Sequence, residues 1–128
     1  MQEQHLFEYA VIRVVPRVER EEFVNVGIIV FCTSKRFLEV VFELNASRLR
    51  ALSPDLDLDE VAAYLQALKH ICEGKKEGGT IAGLPAASRF RWLTATRSTI
   101  VQASKVHPGL CLDPKQTLDK LFEQLVKQ

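Results

Sequence analysis

The chain has 128 residues, 47% hydrophobic and 26% charged, which is the size and balance of one globular domain with its own core. Seventeen Lys and Arg against sixteen Asp and Glu leave a formal charge of +1, so any polyanion site has to be a local patch rather than a field of the whole molecule. The longest apolar run, 24–32, is interrupted by Asn25 and falls short of the roughly 20 residues that cross a bilayer; with polar, acidic first residues and no secretory signal, a cytoplasmic protein is expected.

Residues 7–15 (FEYAVIRVV) are rich in β-branched and aromatic residues on both faces, which suits a central strand covered on at least part of each side, and Pro16 ends it. After a charged connector, 23–31 (FVNVGIIVF) predicts a second strand, in which Asn25 suits a bulge or a buried hydrogen bond and Gly27 a close backbone approach. A turn at 33–36 leads to a third strand, 37–44, whose alternation leaves one face partly wet. Asn45 caps a short helix to Leu52, and Asp57 with Glu60 has the spacing of a capping box for a longer one. That helix buries Leu58, Val61, Leu65, Leu68 and Cys72 and stops at Gly74. Residues 75–79 read as a flexible, charged loop.

Pro85 opens a short helix burying Phe90 and Leu93, a fourth strand is predicted over 98–103, and a turn follows at His107, Pro108 and Gly109. Asp113, Pro114 and Gln116 then open a last helix with Leu118, Leu121, Phe122 and Leu125 as its stripe. The expected fold is α+β: an antiparallel sheet of about four strands, the last beside the first, with helices packed mainly on one face.

The three cysteines, Cys32, Cys72 and Cys111, are odd in number and far apart, and they read as reduced core thiols. Neither they nor the scattered histidines His5, His70 and His107 have the close spacing of a metal site, and no cofactor is expected. His107 with Cys111 is the nearest approach to a base and nucleophile, and no orienting acid accompanies them.

The sharpest asymmetry is in charge. From Gly78 to Leu112 there is no acid, while Arg89, Arg91, Arg97 and Lys105 are basic and Ser98, Thr99, Trp92 and His107 stand among them. Guanidinium forks beside hydroxyls can hold phosphate or carboxylate, and an aromatic ring can stack a base. The plainer alternative is that the block pairs with Asp55, Asp57, Asp59 and Glu60 and has only a structural part. Arg20, just before the second strand, is a further candidate.

Three segments, YAVIRVVPRVEREEFVNVGIIVFC, SRFRWLTATRSTIVQASKVHPGLC and the closing LDKLFEQLV, resemble domain-of-unknown-function family 3037 over nearly the whole chain. The resemblance implies a small bacterial protein, often encoded beside a HipA-like serine/threonine kinase, hence a partner or regulator of such a kinase. Its distinctive polar positions fall here on Arg20, Asn25, Gly27, Arg89, Arg91, Arg97, Ser98, Thr99, His107 and Gly109. Glu21 stands where members often carry glycine, and Pro108 where they often carry threonine.

Three readings follow. The first is a non-catalytic interaction module for a partner such as a HipA-like kinase, with the basic segment 88–107 as the contact surface. The second is a small domain for an anionic ligand, phosphate or nucleic acid, the last disfavoured by the near-zero charge. The third is an enzyme using His107 on an anionic substrate. The binding readings expect Arg89, Arg91, Arg97, Ser98, Thr99, His107 and Arg20 to serve the ligand or partner, with Arg89, Arg91, Arg97 and His107 converging on one face.

Overall fold

Ten residues in which apolar side chains fill both faces form β1 (His5–Val14), and they do so because each face has its own cover. The computed structural model describes residues 3–97 and 99–127. β1 pairs antiparallel with β2 (Val24–Cys32), which pairs with β3 (Phe37–Phe42). On its other side β1 takes β4 (Val101–Ala103) over its C-terminal end and β5 (His107–Cys111) over its N-terminal half. The sheet therefore has five strands, all antiparallel, with β1 in the middle.

Ala10, Ile12 and Val14 of β1, with Ile29 and Phe31 of β2, face α1 (Ala46–Leu52), α2 (Leu58–Glu73) and α4 (Ala86–Thr94). Leu49, Val61, Leu65, Phe90 and Leu93 come down from those helices to meet them. On the opposite face Phe7, Val11, Ile28, Val30 and Cys32 are covered by Leu118 and Val126, from α5 (Pro114–Leu125) and the residue after it. Helices thus sit mainly on one face, and a single amphipathic helix closes the other. Glu39 of β3 and Glu43 just after it lie 3.7 and 3.8 Å from Lys115 and Lys127.

Helix starts follow side-chain chemistry. Asn45 accepts from the Arg48 N–H at 3.0 Å, Asp57 accepts from Asp59 and Glu60 at 3.1 Å each, and Asp113 accepts from Lys115 at 3.1 Å. Gly74 ends α2 with φ +71°, where a side chain would be strained.

The first three strands begin or end one or two residues from the predicted bounds, and three further segments differ in kind from expectation. The predicted loop at 75–79 is instead a 3-10 turn (Lys76–Gly78) leading into the one-turn α3 (Gly79–Ala82). Gly78 lets this segment press on α2, since a Cβ there would come within 3.0 Å of the Ile71 nitrogen. The strand predicted over 98–103 is regular only from Val101; Thr99 and Ile100 form a bend, and Ser98 lies outside the described residues. The turn predicted at His107, Pro108 and Gly109 is the extended strand β5. The Phe7 ring fills the space a Cβ at Gly109 would take, at 2.7 Å, and an edge strand tolerates a proline.

β2 carries the bulge that its asparagine suggested. Ile12 faces Gly27 and Arg13 faces Asn25, so Val26 is the extra residue. Val26 turns to the helix-rich face, where it is buried, and Asn25 is left on the α5 face, donating to the Leu125 carbonyl at 3.1 Å. Gly27 allows β3 to come close: a Cβ there would stand 2.7 Å from the Val41 carbonyl oxygen.

Candidate functional site

The bulge sets a polar row across the α5 face, Asn25, Arg13 and Gln102, in the registers of β2, β1 and β4. A charged residue in a central strand is costly unless something holds it. Arg13 lays its guanidinium over the Phe23 ring, 4.0 Å from the centroid, and its Nε is buried without a hydrogen-bond partner. Burial lowers its pKa from the ordinary arginine value, yet a guanidinium remains charged.

Arg97 repeats the arrangement from the α4–β4 connection. Its guanidinium lies 4.1 Å from the centroid of the Trp92 ring and donates to the Trp92 carbonyl. Arg13 and Arg97 line one open groove of about 490 Å³, with Phe23, Thr96, Gln102 and Glu21 around them. Among the described residues neither guanidinium has a carboxylate within ion-pair distance. A guanidinium has five N–H donors, of which Arg97 spends one on the Trp92 carbonyl, so the pair is still equipped to hold carboxylate or phosphate.

The residues expected at a site are dispersed. Arg97 lines the groove, and Thr99, whose hydroxyl donates to the Val101 carbonyl, lines instead a second groove that Arg97 shares. Arg89 is committed elsewhere: it donates to the Leu84, Ile71 and Cys72 carbonyls at 2.9, 3.3 and 2.7 Å, closing the C-terminus of α2. Arg91 is exposed on α4. Arg20 is paired with Glu22, which raises its pKa through that hydrogen bond and charge. His107 faces Tyr9, ring centroids 5.2 Å apart, five β1 positions from the Val14–Val101 pair and so about 17 Å away. Arg89, Arg91, Arg97 and His107 therefore do not share one face, and Ser98 lies outside the described residues.

Nor do His107 and Cys111 meet. They stand four residues apart on an extended strand, about 13 Å, and Cys111 is buried with its thiol pKa pushed up, chiefly by desolvation and then by neighbouring Cys32. All three cysteines are free and buried. Asp55, Asp57, Asp59 and Glu60 make no ion pair with the basic block among the described residues. No described helix is long and apolar enough to cross a membrane.

Arg13, Phe23 and Gln102 were not singled out from sequence. The signal for Arg13 was present: a lone cation inside FEYAVIRVV, a strand with apolar side chains on both faces. Glu21, at φ +56°, occupies the left-handed conformation that favours glycine, which accounts for the glycine expected there from the family resemblance.

None of the curated proteins and none of the solved structures matches the chain significantly. The sequence model of the family described as "Protein of unknown function (DUF3037)" matches residues 9–126, nearly its full length, and the chain belongs to that family.

Proposed function

We propose that the chain is a non-catalytic binding module that receives an anionic group of a protein partner between Arg13 and Arg97. One observation carries this reading: two guanidinium groups, each over an aromatic ring and neither paired with a carboxylate among the described residues, line the same groove. Glu21 on the rim discourages long polyanions, so a segment with few charges suits the groove better than nucleic acid. The HipA-like kinase implied by the family resemblance is the first partner to assay.

The test is calorimetry with that kinase and with a short glutamate peptide, using Arg13→Gln and Arg97→Gln. Each variant is expected to weaken binding by about 1–3 kcal/mol, with Arg97→Gln leaving the urea midpoint near its original value. Binding unchanged in both variants, or no binding to either probe, overturns the reading. Inorganic phosphate and heparin serve as controls; tight, steeply salt-dependent retention on heparin would favour the phosphate or nucleic-acid alternative instead.

A further inference from the structure

Arg97 borders a second depression. On the helix-rich side, Tyr64 and Leu68 of α2 with Trp92 and Leu93 of α4 form an apolar groove of about 140 Å³, and Arg97 is part of its lining. Leu93 is buried at its floor, while Tyr64 and Trp92 are 47% and 40% exposed. Small-molecule sites usually enclose about 300–1,000 Å³, so this volume suits one inserted side chain. Aromatic walls around such a slot are the usual seat of an interface anchor.

From this we infer that the partner segment carries a bulky aliphatic side chain, such as leucine, beside its acidic residue; the inference rests on the anion-binding reading above and specifies its partner. Arg97 lines both grooves, so a carboxylate held by it lies next to whatever fills the apolar slot. In an extended segment, side chains two residues apart share a face and are about 7 Å apart. Arg97 and Trp92 both line the slot, so a carboxylate on the guanidinium and a side chain in the slot are neighbours within such a segment. β4 is the outermost strand on this side, so its free edge leaves room for an extended chain. The occupant is thus a short acidic–aliphatic peptide, its charge matched to Arg13 and Arg97 and its anchor to the Tyr64–Trp92 slot.

Trp92 is the chain's single tryptophan, so its emission reports directly on the slot. The experiment titrates the full chain with three seven-residue peptides to millimolar concentration: Gly-Glu-Gly-Leu-Gly-Glu-Gly, the same with alanine for leucine, and the same with lysine for both glutamates. The leucine peptide is expected to bind at least about tenfold more tightly than the alanine peptide. Tyr64→Ser, at a position 47% exposed and outside both buried clusters, should erase most of that difference, while Arg13→Gln should weaken both acidic peptides. Equal affinity for the leucine and alanine peptides overturns the apolar anchor and leaves the anion site standing. Equal affinity for the glutamate and lysine peptides overturns the anion site itself, and with it this inference. No change in Trp92 emission with any peptide overturns both.

Discussion

Arg89 and Arg97 lie eight positions apart in one acid-free stretch, yet their surroundings give them different work. Arg89 holds three backbone carbonyls, two of them among the last of α2, where unpaired acceptors and the negative end of the helix favour a cation. Arg89→Ala should therefore lower stability by about 1–3 kcal/mol, read from the urea midpoint, and leave affinity for the acidic peptide unchanged. A loss of affinity with stability intact would place Arg89 at the binding surface after all. The difference between these arginines was not legible in sequence, because two of the three carbonyls that claim Arg89 belong to residues 71 and 72, brought near by the chain's reversal after Gly74. Arg13 was legible in part: its place in a doubly covered strand marks it as costly, but the ring that carries it, Phe23, arrives from across the β1–β2 connection.

Capping residues made the helices readable from local chemistry. Asn45, Asp57 and Asp113 each start the helix their spacing announces, because the bond from side chain to N–H spans only two or three residues. Asp57→Ala removes both bonds at the head of the longest helix and should cost about 0.5–2 kcal/mol, with the fold retained. An unchanged urea midpoint would mean that water caps the helix equally well. Strand boundaries near β4 and β5 were less legible, since both are defined by what lies across from them. Gly109 and Pro108 carry turn chemistry, and only the Phe7 ring and the ladder to β1 make that segment extended. The loop expected at 75–79 failed for a similar reason: Gly78 serves close packing on α2, which no local pattern reveals.

The molecule as a whole is a sheet between two separate apolar layers, and each layer keeps thiols out of water. Burial pushes the Cys72 thiol from 9.0 to about 12, against a smaller opposing pull from Arg89, so folding favours its neutral form. Below about pH 9 folded and unfolded chains both hold the proton and the full stability is present; above it the unfolded chain ionises first, and stability declines until the folded thiol ionises near 12. The fall should reach roughly 1 kcal/mol per pH unit in this window. Urea midpoints measured between about pH 8 and pH 11 should fall more steeply for the native chain than for Cys72→Ala. Parallel curves would show that Cys72 does not govern alkaline unfolding.

The outer side of β1 is served by two strands in place of one, and the join is made by a side chain. Ser104 gives its N–H to the Val11 carbonyl and accepts the Val11 N–H on its hydroxyl, each at 2.8 Å, while the hydroxyl donates to the Lys105 carbonyl. The chain leaves the ladder there and returns at His107. Beyond the join, Pro108 has no N–H to offer, although Leu6 and Leu110, directly paired, are 63% and 61% exposed. A straight, unbroken border with those leucines beside it would template further copies into fibrils at high concentration. Interrupted at Ser104 and lacking a donor at Pro108, the border gives a second chain no long register to follow, which favours solubility in a crowded solution.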